Sequence, residues 1–146
     1  MRALFSLTFA VLVLVPSVSN GGCIKPVLHL SSEVKVNSWE WEAAFLDDLT
    51  VRLQSNPELR ADVIIYGAQT CHRNEVAARL RLYNGYLVRS GRLRSDQVTI
   101  RSGGYRANST VEIWLTTAAS CPAPATPTVS SRDVVYLPGR YVLSTL

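Results

Sequence analysis

Eight arginines fall between positions 73 and 106 (Arg73, Arg79, Arg81, Arg89, Arg92, Arg94, Arg101 and Arg106), and Glu75 and Asp96 are the only acids among them. Guanidinium groups hold phosphate and carboxylate through paired N–H donors. A cluster of this sign reads as a surface for an anionic polymer, with Arg73, Arg81, Arg89, Arg92 and Arg94 as its members. The plainer reading is a solvated face, because Arg81, Arg89 and Arg92 fall away from the apolar stripe of their helix. Cys71 and His72 are a nucleophile and a base by type. Adjacent residues rarely face each other, however, and no orienting carboxylate is identifiable, so no catalytic residue is assigned. No metal site, phosphate-binding glycine loop, His-Glu-x-x-His or Gly-x-Ser-x-Gly motif is present, so neither an enzyme nor a cofactor is expected.

The elements that must position these side chains follow from periodicity. Residues 25–36 read as one strand, broken near Ser31-Ser32 or continuous. Asn37 or Ser38 offers a helix cap, with Glu40 three residues after Asn37. The helix that follows carries Trp41, Phe45, Leu49 and Leu53 on one stripe, with Glu42, Asp47 and Asp48 on other faces. It ends near Ser55 because Pro57 follows. Residues 61–67 are continuously apolar and rich in β-branched side chains, the mark of a strand buried on both faces. A second helix spans about 73–90, with Val76, Leu80, Tyr83 and Leu87 as its stripe and Gly91 as its stop. Strands at 98–101 and 110–115 close the order, joined by a turn around Gly103-Gly104 to Asn108. The order is β-α-β-α-β-β. It implies an α/β (α+β) two-layer sandwich, a mixed sheet with two helices on one face.

Length and composition agree with that reading. The 146 residues allow one domain, and 47% hydrophobic against 18% charged residues indicate a folded chain. Residues 1–19 have the form of a secretory signal peptide: Arg2, an apolar run from Ala3 to Val15, then Pro16 and Ser17-Val18-Ser19. The run is too short to cross a bilayer, which takes roughly 20 residues. The mature chain has no further apolar run of that kind, so no transmembrane segment is expected in it. A lipoprotein beginning at Cys23 is the rival reading. Asn20 stands three before Cys23, where lipid-modification sites carry Leu or a similar apolar residue, and soluble export is preferred. Three cysteines in an exported chain imply one disulfide and one spare thiol. Residues 122–146 read as a proline-rich linker and a short tail, which forms a hairpin turning at Pro138-Gly139 or stays extended.

Several residues within this order resemble the OmpA-like domain of bacterial envelopes. Ile64-Ile65-Tyr66-Gly67 is similar to the end of that family's first motif strand. Arg79 stands seven before Tyr86-Leu87 and twelve before Gly91, as the family's helix arginine does, and Asn108-Ser109-Thr110-Val111-Glu112-Ile113 is similar to its closing strand. The resemblance covers roughly residues 27–115, placing the domain at 23–121. It implies a non-catalytic module of the periplasm or cell envelope that binds peptidoglycan or another anionic wall polymer. In the family an aspartate and the helix arginine grip the amine and carboxylate of the stem peptide. Arg79 matches the arginine, whereas Thr70 stands where the aspartate belongs, leaving Glu112 or Glu75 as candidate acids. Ser109 and Thr110 replace the paired arginines of the closing motif. The chain therefore reads as a degenerate member. It either kept wall binding through Arg79, Thr70 and Glu112, or kept the fold as a structural or protein-interaction module with an envelope-protein partner. Nucleic acid is not expected as a partner of an exported chain. In this topology the closing strand ends beside the start of the first, which pairs Cys23 with Cys121 and leaves Cys71 free.

Overall fold

The computed structural model describes residues 28–33, 39–117 and 120–142. The signal peptide at 1–19, Cys23, and the cap expected at Asn37 or Ser38 lie outside the described residues, as do Val34 and Val36. The elements are β1 (Leu28–Glu33), α1 (Trp39–Ser55), β2 (Arg60–Ala68), β3 (Thr70–His72), α2 (Glu75–Asn84), β4 (Val98–Arg106), β5 (Thr110–Thr116) and β6 (Val135–Leu137). A turn of π-helix (Gly85–Arg89) extends α2. The fold is α+β. A four-stranded mixed sheet has the order β1-β5-β2-β4, and a small parallel sheet joins β3 to β6.

β2 is the hinge of the design. Its residues 61–67 are all buried, as their unbroken apolar run requires. β4 pairs with it in parallel on one side and β5 antiparallel on the other. Ala61, Val63 and Ile65 meet Leu46, Leu49 and Leu53 of α1, and Tyr83 and Leu87 of the second helical segment, so both helices cover one face. Ile64 and Tyr66 point the other way, against Ala123 and Trp114.

Four expectations are revised. β4 does not turn at Gly103-Gly104; it runs on to Arg106, with a register shift that sets Tyr66 opposite Gly104. A Cβ at Gly103 would lie 2.3 Å from Tyr66 Cε1, so glycine serves here as space for the Tyr66 ring. The stripe of α1 is rotated. Trp41 is 51% exposed, while Glu42, Leu46, Leu49, Thr50 and Leu53 are buried. Residues 122–142 are not a linker, because Ala123 is buried on the open face of the sheet. Finally, β6 makes no hairpin at Pro138-Gly139. It pairs with β3, in the register Thr70↔Val135, Cys71↔Tyr136 and His72↔Leu137.

Candidate functional site

Buried positions on α2 and its π-turn recur every fourth residue: Glu75, Arg79, Tyr83 and Leu87. Two of the four carry charge, so they need partners. Arg79 is 1% exposed and Glu42, from α1, is 2% exposed. Arg79 Nη1 donates to Glu42 Oε1, and Tyr83 Oη donates to Glu42 Oε2 at 2.6 Å. Glu75 Oε1 lies 3.6 Å from Arg79 Nε and accepts from Ser109 Oγ at 2.7 Å. Burial alone would lower the Arg79 pKa; the hydrogen bond and charge of Glu42 outweigh it and raise the pKa above the ordinary arginine value. Tyr83 is pushed well above the usual tyrosine range, by burial first and the neighbouring Glu42 charge second.

The C-terminal segment closes this centre. Gly139, at φ +85°, bends the chain so that Tyr141 returns over Arg79, with the guanidinium carbon 5.2 Å from the ring centroid. The Asn74 side-chain amide holds the Tyr141 backbone from both sides: Tyr141 N–H donates to Oδ1 at 2.9 Å, and Nδ2 donates to Tyr141 O at 3.4 Å. Burial pushes the Tyr141 hydroxyl pKa up to about 12.

The expected ligand-binding residues do not converge. Thr70 is exposed on β3, paired with Val135. Glu112 lies opposite Ile64 on β5, on the face away from the helices. There it accepts from Tyr66 Oη at 3.0 Å and from Arg106 Nη2 at 2.6 Å. It is on the wrong side of the sheet to partner Arg79. Glu75 is the acid near Arg79, and Glu42 is the one that sequence reasoning missed. Its charged type assigned it to solvent, although its spacing of four from Leu46 placed it on the inward face.

Ion pairs take up much of the arginine cluster. Arg92 bonds Asp47 and lies over the Tyr86 ring, and Arg94 bonds Asp96 at 3.0 Å. Arg101 stands 3.7 Å from Asp62. Arg73 lies over the Tyr136 ring, 4.6 Å from its centroid. Arg81 and Arg89 are exposed and make no ion pair among the described residues. A surface of five free cations is therefore reduced to Arg73, Arg81 and Arg89.

Sequence reasoning also missed a cavity of about 410 Å³ where β2 begins, whose wall includes Arg60, Asp62, Asp96, Thr99, Arg101 and Ser120. Its charges are matched within the wall, since Arg60 is 3.5 Å from Asp96. Cys71 is a buried free thiol whose pKa burial raises, with Glu75 adding to the rise, so Cys71-His72 has no activated thiolate. Cys121 takes part in a disulfide. Among the described residues no three metal-ligating side chains gather, and no helix is long and apolar enough to cross a membrane. Compared with known proteins, the chain matches no family model, no curated protein and no solved structure.

Proposed function

We propose that this chain is an exported, non-catalytic bacterial cell-envelope protein, an OmpA-like module in which the family's ligand-gripping arginine has been turned to internal use. Its role on this reading is structural or protein-interacting. The observation that carries it is the Arg79–Glu42 pair: the cation positioned to hold a ligand holds α1 instead, at 1% exposure. The separation of Glu112 and Arg79 onto opposite faces supports the same reading. Export rests on Arg2, the apolar run and Ser17-Val18-Ser19.

The test is co-sedimentation of the chain, without residues 1–19, with purified peptidoglycan sacculi, beside Arg79→Lys and Arg81→Ala. The expected result is no pelleting that depends on Arg79. Pelleting by the wild-type chain that Arg79→Lys loses and Arg81→Ala keeps would overturn the proposal. Peptidoglycan binding through Arg79 is the second reading. One feature favours it: two donor groups of Arg79 meet no hydrogen-bond acceptor among the described residues.

A further inference from the structure

The outward side of α2 and its π-turn repeats every fourth residue, as the buried side does: Ala77, Arg81, Gly85 and Arg89. An α-helix of 3.6 residues per turn would carry such a line gradually around its surface. The π-turn takes up the drift, because Ser90 N–H reaches back five residues to Gly85 O at 3.0 Å. Arg89 therefore stays in line with Arg81, about 12 Å further along the axis. Ala77 and Gly85 are small, so the guanidinium groups are what stands furthest from this line. No acid occurs from Val76 to Ser95, and neither Arg81 nor Arg89 makes an ion pair among the described residues.

Arg73, just ahead of α2, joins this line to an apolar surface. Its guanidinium carbon lies 4.6 Å from the centre of the Tyr136 ring on β6. Val135, Tyr136 and Leu137 are consecutive and all exposed, and Val142 beyond them is exposed as well. Three exposed apolar residues in a row are a cost to a water-facing surface unless something covers them. Arg132 and Arg140 flank the strand, and Asp133 is the only acid from Pro122 to Leu146. A soluble polyanion would satisfy these cations but offers nothing to the aliphatic side chains. A bilayer surface offers both phosphate and an apolar layer beneath it. We propose that the outer face of α2 and strand β6 form a docking surface for an anionic lipid bilayer. Arg73, Arg81 and Arg89 meet the headgroup phosphates, and Val135 and Leu137 enter the interfacial layer. None of these side chains belongs to the buried Arg79 centre, so the inference stands or falls apart from the preceding reading.

The experiment is flotation of the chain, without residues 1–19, with two kinds of vesicle at low ionic strength. One is phosphatidylcholine alone, and the other is phosphatidylcholine and phosphatidylglycerol in equal parts. The chain is expected to float with the mixed vesicles only, and added salt should release it. An arginine near an anionic surface contributes about fivefold to partitioning, so Arg81→Gln with Arg89→Gln should weaken binding about 25-fold. Val135→Ser with Leu137→Ser should weaken it about tenfold. Arg52→Gln with Arg94→Gln removes the same net charge from side chains that Asp48 and Asp96 hold, and should keep most of the binding. All of these residues are exposed, so thermal midpoints should stay close to that of the wild type. Should one variant lose its fold, the wild type's contrast between vesicles and the other pairs still decide. No flotation of the wild type with the mixed vesicles would overturn the proposal. Equal losses in the two arginine pairs would overturn it too, since net charge alone would then be acting. Full binding by the serine pair, with the wild type held as tightly by dextran sulfate, would replace the bilayer with a soluble polyanion.

Discussion

At the scale of the residue, Arg79 and Glu42 form an ion pair whose side chains are 1% and 2% exposed. Desolvating a guanidinium and a carboxylate is expensive, and only good geometry and further hydrogen bonds offset it. Glu42 has both, with Arg79 on one oxygen and Tyr83 on the other. Removing one partner leaves the other charge stranded, so Glu42→Ala should lose about 3–5 kcal/mol in urea denaturation. A loss below about 1 kcal/mol would mean that the pair is open to water. The neighbouring tyrosines make a pH prediction. Tyr141 titrates near 12 in the folded chain and near 10 when unfolded, and Tyr83 is raised as well. Below about pH 10 both states hold these protons, and stability is level. Between about 10 and 12 the unfolded chain releases protons that the folded chain retains, so stability falls as pH rises. Tyr141→Phe should remove part of that alkaline fall, because it deletes one of the raised hydroxyls. Denaturation midpoints measured across the alkaline range decide it.

Much at the scale of the element was legible in the sequence, and the failures have physical causes. The run from Ala61 to Gly67 announced a strand buried on both faces; Pro57 and Gly91 marked helix ends close to where they fall, and Gly91 adopts φ +76°. β4 was cut short because two adjacent glycines ordinarily signal a turn. Here they continue a strand past a large ring, a need that arises only from the tertiary neighbour Tyr66. Glu42 was misplaced for a similar reason. Its partner Arg79 lies 37 residues away, and local periodicity treats every acid as solvent-facing. The pairing of β3 with β6 was unreadable, since each is three residues long and more than 60 residues separate them. Arg79 was singled out by resemblance, but what it bonds was not. Gly85 offers a clean test of the π-turn. Its backbone is right-handed helical, at φ −60° and ψ −48°, and a Cβ there meets nothing within 4 Å. Gly85→Ala should therefore stabilise the chain by about 0.5–1 kcal/mol through lost unfolded-state entropy. Gly103→Ala should destabilise it by about 1–3 kcal/mol, because the new methyl meets the Tyr66 ring at 2.3 Å. Opposite signs at two glycines, read by the same denaturation assay, would separate the helical position from the packed one.

At the scale of the whole molecule, residues 120–129 do the work of a second covering layer. Helices shield one face of the sheet, and this stretch, with no helix or strand of its own, lies against the other. Ala123 N–H donates to Asp62 Oδ2 at 2.8 Å, and Arg101 donates to Ala123 O. Thr126 N–H donates to Tyr66 Oη at 3.0 Å, while Arg106 bonds both Thr126 and Glu112. Ile64 and Tyr66 owe their burial to contacts made by a proline-rich stretch that has little intrinsic order of its own. Such a stretch needs an anchor at the point where it leaves β5. Cys121, five residues past the end of β5, takes part in a disulfide, and Cys71 is a buried free thiol. With three cysteines in the sequence, the pairing expected is Cys121 with Cys23, closing a loop of nearly 100 residues. By chain entropy such a loop contributes at most about 4–5 kcal/mol, and measured gains are commonly smaller. Non-reducing peptide mapping should recover a Cys23–Cys121 peptide and leave the Cys71 peptide alkylated only after unfolding. A Cys71–Cys121 link would refute the pairing. Cys121→Ser should lower stability by about 2–4 kcal/mol and raise the exposure of Tyr66, because the segment that covers it then begins from an untethered point. Reduction of the wild type should reproduce that loss, whereas reduction of the Cys121→Ser variant should change nothing further. That comparison separates the bond's contribution from the side chain's.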